Sequence, residues 1–236
     1  MAKKLSIRQE TAPLSAAGED YLKAIYKLQQ DGEPVTTQAL SVRLGVAAPS
    51  ATSMVKKLAA LQLLRHARYR GVELTPAGER IALEIIRHHR LIETYLSEVL
   101  GVEWDKVHDE AERWEHVLSE EVEAKMDAAL GRPTRDPHGA PIPTIDGRIE
   151  RDGWQRLSSC ASGAKIIVRR VSDQDSQMLR HLQEVGLVPG VAVEVLRAVV
   201  AEGVLQLRIA GKRKTIGVAP SEMVFVSPLE HDEDMK

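Results

Sequence analysis

The segment at residues 108–116 concentrates side chains that bind metal ions. It reads His-Asp-Glu-Ala-Glu-Arg-Trp-Glu-His. On an α-helix, four of these side chains would share one face: His108, Glu112, Glu115 and His116. Imidazole nitrogens and carboxylate oxygens on one stripe suit a divalent first-row metal ion. The spacing therefore predicts that this segment binds a metal.

A second pair of candidate ligands, His89 and Glu93, lies in the preceding helical stretch with the four-residue spacing of helix neighbours. A charged helix face that simply lies in water would explain either segment alone. Two helices that both present ligands favour a metal centre. The chain has one cysteine, Cys160, so we expect neither an intrachain disulfide nor a thiolate zinc cluster.

The length and the distribution of charge indicate more than one module. A chain of 236 residues with 43% hydrophobic residues is ordinary for a globular protein of one or two domains. Residues 1–80 carry 12 basic and 7 acidic residues, whereas residues 81–130 carry 5 basic and 13 acidic residues. This change of sign is typical of a DNA-facing module joined to a cation-binding module. The charged start of the chain has no apolar run behind it, so we expect a cytoplasmic protein without a signal peptide.

The first part of the chain has the pattern of a winged helix-turn-helix. Apolar periodicity predicts helices over residues 15–30, 37–44 and 48–61, and two short strands over residues 63–66 and 72–74. The elements of that motif follow the same order: a helix, a short helix, a tight turn, a longer helix and a basic hairpin.

The third of these helices is the candidate recognition helix. Small hydroxyl side chains at its start could approach bases or phosphates, and lysines further along could neutralise the DNA backbone. Arginines between the two strands could reach phosphates or a minor groove. The candidate DNA-binding residues are Thr37, Ala47, Pro49, Ser50, Thr52, Ser53, Lys56, Lys57, Arg68 and Arg70.

The rest of the chain is predicted as helices followed by strands. Long helices are expected over residues 76–100 and 104–130, and residues 133–163, which hold four of the eleven prolines, are interpreted mainly as a connector. From residue 164 onward, alternating short strands around one helix predict an SH3-like β-barrel. The fold class is therefore mainly α with a small β domain. Its domains are a winged helix-turn-helix (1–75), a helical metal-binding and dimerisation domain (76–145) and an SH3-like domain (164–230).

Several stretches of the sequence resemble the diphtheria-toxin-repressor-like family of metal-activated transcriptional regulators. The resemblance covers most of the chain, from residue 19 to about residue 228. The stretches that carry it are Glu-Asp-Tyr-Leu at 19–22, Leu-Thr-Pro-Ala-Gly at 74–78, His-Arg-Leu-Ile-Glu at 89–93, residues 106–116, Asp-Pro-His-Gly at 136–139 and Gly-Leu-Val-Pro-Gly at 186–190.

The resemblance implies two metal sites. The ligands of the primary site would be Asp20, Glu112, Glu115 and His116. The ligands of the ancillary site would be His89, Glu93 and His108. A side chain of the C-terminal domain would complete the ancillary site, and Asp173 and Asp175 are both candidates.

The departures from the family pattern bear on the identity of the metal. Iron-responsive members carry methionine and cysteine at the positions of Asp20 and Glu112, and carboxylates there favour a harder ion, Mn²⁺, with Fe²⁺ as the alternative. Manganese-responsive members can carry a further glutamate where this chain has Lys23, which argues against a two-manganese cluster of their kind.

The resemblance implies a homodimer that binds a palindromic DNA operator when metal is bound, as a repressor of metal-uptake genes and not as an enzyme. Two alternatives remain open from the residues alone. One is a winged-helix regulator that responds to a small organic effector. The other is a metal-dependent hydrolase that uses the histidine and glutamate set to activate water.

Overall fold

The computed structural model describes residues 14–30, 32, 34–67, 71–151, 153–199 and 203–229. The chain forms two compact units. One comprises Met1–His88 with Pro143–Arg148, and the other comprises His89–Ile142 with Ile149–Lys236. The long helix α4 (Pro76–Glu98) contributes residues to both units.

The elements of the first unit follow the predicted order. They are α1 (Ala16–Gln30), α2 (Thr37–Leu44), α3 (Ala48–Ala60), β1 (Leu64–Ala67), β2 (Gly71–Leu74) and the first part of α4. The predicted bounds of α2 are confirmed, because its caps are encoded locally. The Thr36 hydroxyl accepts a hydrogen bond from the Ala39 N–H at 3.0 Å, and Gly45 ends the helix in the left-handed conformation.

The hairpin formed by β1 and β2 packs against the segment before α2 at a glycine. β1 and β2 pair antiparallel, and Gly71, at the start of β2, has a positive φ of 79°. A Cβ atom on Gly71 would lie 2.1 Å from the Val35 carbonyl oxygen, and the Val72 N–H donates to that same oxygen at 3.0 Å. Only glycine permits this close approach of two backbones. The segment between the two strands, with Arg68 and Arg70, lies outside the described residues.

The helical part of the second unit differs from the prediction. The single helix expected over residues 104–130 is wrong: the structure has α5 (Val107–Trp114) and α6 (Glu120–Ala129). The interruption arises because Ser119 is extended, with ψ of 151°, and its hydroxyl caps a new helix by accepting from the Val122 N–H. The apolar core beneath these helices includes Leu91, Ile92, Leu96, Val107, Ala111, Met126 and Ile142.

The interpretation of residues 133–163 as mainly a connector is wrong in part. Arg135 and Pro141 form an isolated β-bridge, and the Asp136 N–H donates to the Ala140 carbonyl at 3.0 Å. The turn between them buries both Asp136 and His138. Further along, β3 (Gln155–Arg156) and a 3₁₀ turn (Leu157–Ser159) belong to the C-terminal domain.

The C-terminal domain is a six-stranded antiparallel sheet. Besides β3, its elements are β4 (Lys165–Val171), α7 (Ser176–Val185), β5 (Ala192–Val199), β6 (Val204–Ile209), β7 (Lys212–Gly217), α8 (Val218–Glu222) and β8 (Val224–Pro228). The strand order is β3-β8-β4-β5-β6-β7. Leu179 and Leu182 of α7 belong to the core formed with apolar side chains of the sheet. The expected barrel closure is not shown, because β3 and β7 are the edges of this sheet among the described strands.

None of the described helices combines the length and apolar character that crossing a membrane requires.

Candidate metal centre

His89 of α4 lies at the centre of the predicted ligands. Its buried ring contacts ligand candidates through both nitrogens. Nε2 lies 3.0 Å from Glu93 Oε1 and 3.0 Å from His108 Nδ1, whereas Nδ1 lies 2.5 Å from Glu115 Oε2. The structure therefore brings the His89–Glu93 pair together with ligands from the 108–116 segment.

The first group of possible ligands consists of His89, Glu93, His108 and Asp173, whose ligand atoms lie within 4.8 Å of one another. His108 Nδ1 is 3.2 Å from Glu93 Oε1 and 3.7 Å from Asp173 Oδ2. The other C-terminal candidate, Asp175, caps α7 by accepting from the Gln177 N–H at 2.9 Å. Of the two candidates, the structure brings Asp173 to the cluster.

A second group, which shares His89 with the first, contains Glu112 and Glu115. Glu112 Oε1 lies 3.8 Å from His89 Nδ1 and 3.8 Å from His108 Nε2. Glu115 is fully buried, and its Oε1 is 3.4 Å from His116 Nε2.

The expected helical face of the 108–116 segment is correct only for its first part. α5 ends at Trp114, so Glu115 and His116 lie in the turn that follows it. Glu115 nevertheless keeps right-handed helical backbone angles, with φ of −60° and ψ of −29°. The Glu115 side chain can therefore take the direction that it would have if α5 continued by one residue.

A third group contains two residues that were not predicted as metal ligands. Glu93, Asp136 and His138 are all buried, and their ligand atoms lie within 4.8 Å of one another. His138 Nδ1 is 3.8 Å from Glu93 Oε1, and Asp136 Oδ2 is 3.5 Å from Arg90 Nε. The available signal was the Asp-Pro-His-Gly motif at 136–139, in which two ligand types lie within three residues of a turn.

Burial and mutual charge shift the pKa values of this third group. Burial alone would raise the pKa of Glu93, but the charge on His89 and contacts with the neighbouring imidazoles hold it well below its ordinary value. Burial would lower the pKa of His138, yet its contact with Glu93 and the charges of Glu93 and Asp136 raise it to about 9. Burial, followed by the Glu93 charge, raises the pKa of Asp136 to about 6.

The chemistry of these side chains fits a divalent cation. Glu93 Oε2 and His138 Nδ1 are buried and make no hydrogen bond within the described part of the chain. A buried polar atom without a partner costs about 1–3 kcal/mol. A cation would satisfy both atoms, and a donor set of carboxylate oxygens and imidazole nitrogens without thiolate suits Mn²⁺ or Fe²⁺.

The remaining predicted metal ligand, Asp20, is a half-buried residue of α1 in the first unit.

The candidate recognition helix presents most of the predicted DNA-binding side chains to solvent. The exposed ones on or before α3 are Ala47, Pro49, Ser50, Ser53, Lys56 and Lys57. Ala47 is the N-cap and provides no side-chain hydrogen bond to the helix. Thr52 is half-buried and donates its hydroxyl to the Ala48 carbonyl at 3.0 Å, whereas Thr37 is the first residue of α2.

Three family profiles match successive parts of the chain. Residues 13–72 match the profile described as the iron dependent repressor N-terminal DNA binding domain. Residues 75–144 match the iron dependent repressor metal binding and dimerisation domain, and residues 155–228 match the FeoA domain.

Individual relatives agree with the family profiles. The iron-dependent repressor IdeR of Mycobacterium leprae (strain TN) is 34% identical over 189 residues, which are 75% of this chain and 82% of that protein. The diphtheria toxin repressor of Corynebacterium diphtheriae (strain ATCC 700971 / NCTC 13129 / Biotype gravis) is 38% identical over 165 residues, 70% of this chain and 69% of that protein. A solved manganese-dependent transcriptional repressor in complex with manganese is similar with a TM-score of 0.85 and 38% identity, over 90% of this chain and 100% of that one.

The fold and the ligand cluster thus define a metal-dependent transcriptional repressor. The chain belongs to the iron-dependent repressor family that includes the diphtheria toxin repressor. Its members are regulators and not enzymes, so the hydrolase alternative is wrong.

Proposed function

We propose that this protein is a metal-activated repressor of metal-uptake genes that binds a palindromic DNA operator as a homodimer in the cytoplasm. The observation that carries this proposal is the buried cluster of imidazoles and carboxylates around His89 and Glu93. An effector-binding regulator has no need to bury such a set, because buried ionisable groups are costly unless they are paired or bind metal.

The ligands of the proposed ancillary centre are His89, Glu93 and His108, and Asp173 is proposed as the C-terminal ligand. Their mutual distances support this set. Asp136 and His138 extend it, because both lie in one buried group with Glu93.

The proposed primary centre consists of Asp20, Glu112, Glu115 and His116. The proximity of Glu115 to His116 supports part of this set. The inclusion of Asp20 rests on the family resemblance.

We propose Mn²⁺ as the preferred ion and Fe²⁺ as the alternative. Carboxylates at Asp20 and Glu112 replace the softer sulfur ligands of iron-responsive relatives, and hard oxygen donors suit Mn²⁺. The solved relative that holds manganese supports this preference, whereas the relatives named iron-dependent repressors keep Fe²⁺ plausible.

The proposed metal-dependent switch follows from the negative charges of the candidate ligands. Glu93, Glu112 and Glu115 converge on His89, and in the absence of metal their negative charges oppose that arrangement. A bound ion supplies the positive charge that stabilises it. Activation requires that metal bind the DNA-competent conformation more tightly than the other conformation, because only differential affinity shifts an equilibrium.

We propose that α3 is the recognition helix and that β1 and β2 form the wing. Exposed Ser50 and Ser53 lie on the same side of α3 as Lys56 and Lys57, which suits contact with base edges and phosphates. Arg68 and Arg70 are proposed phosphate or minor-groove contacts of the wing, and Thr37, Ala47, Pro49 and Thr52 complete the proposed surface.

We propose that three domains carry these roles, over residues 1–75, 76–145 and 164–230. The last is proposed to have an SH3-like fold, in which the six-stranded sheet curls into a barrel. The antiparallel order of its strands and the packing of α7 against the sheet support this assignment.

Replacing Glu112 with Ala tests the metal-activated function directly. The Glu112 side chain is 39% exposed, so its loss should leave the fold intact. Glu110→Ala is a matched control, because Glu110 lies on the same helix and pairs only with Arg113, at 2.6 Å, among the described contacts. We expect Glu112→Ala to abolish Mn²⁺-dependent operator binding and Glu110→Ala to retain it. Unchanged regulation in Glu112→Ala would favour an organic effector.

A further inference from the structure

The 136–139 turn, which comprises Asp136, Pro137, His138 and Gly139, orders its own carboxylate. Asp136 Oδ1 accepts hydrogen bonds from the His138 N–H and the Ala140 N–H, both at 2.9 Å. Because these two bonds fix one oxygen, the orientation of the whole carboxylate is set by the backbone. The other oxygen, Oδ2, is the one that lies 3.5 Å from Arg90.

Trp104 contacts the 136–139 turn in two ways. Its indole N–H donates to the Pro137 carbonyl at 2.9 Å, and its backbone carbonyl accepts from His138 Nε2 at 3.0 Å. The Nε2 hydrogen is donated to Trp104 whether the imidazole is neutral or protonated. Nδ1 is therefore the nitrogen that faces Glu93 and can be given to a metal ion.

On its other side, the 136–139 turn is fixed to β4. The Val171 N–H donates to the His138 carbonyl at 2.9 Å. Gly139 has φ of +86°, and a Cβ atom there would lie 2.0 Å from the Arg169 carbonyl oxygen. No side chain fits at this position unless the turn moves away from β4. Val171 is two residues before Asp173, so the end of one strand supports both the turn and that carboxylate.

We propose that Trp104 and Gly139 are positioning residues that hold the 136–139 turn between them and thereby direct His138 and Asp136 at the metal centre. The proposal rests on the proposed function, because it assumes that Glu93, Asp136 and His138 contribute to metal binding. The C-terminal sheet then has a defined role, since β4 holds the 136–139 turn in place and the segment directly after β4 carries Asp173. Loosening the hold of either residue on the turn should lower metal affinity without removing any ligand.

Gly139→Ala is the direct test, with Gly131→Ala as its matched control. Gly131 also has a positive φ, of 71°, but a Cβ atom there meets nothing within 4 Å. Both variants place an alanine at a positive φ, and only Gly139→Ala forces the turn off β4. In competition titrations with a fluorescent chelator, we expect Gly139→Ala to bind Mn²⁺ at least about tenfold more weakly than wild type. Gly131→Ala should bind like wild type.

Trp104→Phe gives a second, independent variant, which removes the indole donor and keeps an aromatic ring. We expect a smaller loss of Mn²⁺ affinity and a changed visible spectrum of the Co²⁺-loaded protein, because the His138 nitrogen is displaced. A purely structural role would lower the melting temperature of the metal-free protein and leave that spectrum unchanged. If Gly139→Ala does not fold, Trp104→Phe alone tests the positioning role.

His138→Ala separates failure of the proposal from failure of the metal centre. If His138→Ala binds Mn²⁺ as tightly as wild type, His138 is not a ligand and the proposed centre is wrong at this residue. If His138→Ala weakens binding while Gly139→Ala and Trp104→Phe match wild type in affinity and in Co²⁺ spectrum, the positioning role is overturned.

Discussion

Asp173 Oδ2 lies 3.7 Å from His108 Nδ1, so a side chain that follows β4 of the C-terminal sheet reaches the ligand cluster of the helices. Both residues are only partly exposed, at 18% and 16% of their side chains. This contact supports the proposal that the segment after β4 supplies a ligand to the metal centre.

Asp173→Asn should weaken metal binding while the fold persists. The amide keeps the size of the side chain but removes the negative charge that a cation requires, so affinity should fall at least by the roughly 10–100-fold that loss of an outer-shell partner costs. Asp175→Asn is the control, because Asp175 caps α7 and Asn is also a good N-cap. Mn²⁺ competition titrations would contradict the assignment of Asp173 if the two variants bound equally well.

Mn²⁺ affinity should rise with pH. Burial would lower the pKa of His138, but Glu93 and Asp136 raise it to about 9, so near pH 7 this imidazole carries a proton that a metal ion must displace. Where one proton leaves for each ion bound, affinity falls about tenfold for each pH unit below that pKa. Titrations between about pH 6.5 and 8.5 measure the slope, and His138→Gln should flatten it. An equal slope in the variant would exclude His138 as the source.

Lys56 and Lys57 should contribute to DNA affinity through phosphates. Both are exposed on α3. Replacing each with Ala should weaken binding to all sequences alike and reduce the slope of log K against log salt by about 0.9 for each phosphate that is no longer neutralised. Fluorescence anisotropy at several salt concentrations measures this slope. Lys125→Ala, which removes an exposed lysine that pairs with Glu121 at 2.7 Å, should leave the slope unchanged. Equal slopes in all variants would contradict contact between these two lysines of α3 and DNA phosphates.

Local signals made the helix-turn-helix predictable. The bounds of α2 follow from Thr36 and Gly45, which are cap residues at its two ends, and the bounds of α3 follow from Pro49 and the apolar spacing behind it. Neither signal requires knowledge of distant contacts.

The features that the sequence did not predict depend on tertiary structure or on a competing local signal. Ser119 is a helix-capping residue inside a periodic stretch, and it outweighed the apolar pattern that predicted one helix over residues 104–130. Asp136 and His138 lie between prolines, where the sequence pattern indicates a loop. Their burial results from contacts with Arg90, Trp104 and β4, which are distant in the chain. Periodicity carries no information about such contacts.

The central claim is that a bound divalent ion switches this protein into its DNA-binding conformation. Operator affinity measured by anisotropy before and after removal of metal with a chelator, and again after addition of Mn²⁺, tests it most directly. We predict that stripped protein does not bind specifically and that Mn²⁺ restores tight binding. Equally tight binding by the stripped and the Mn²⁺-loaded protein would contradict the claim.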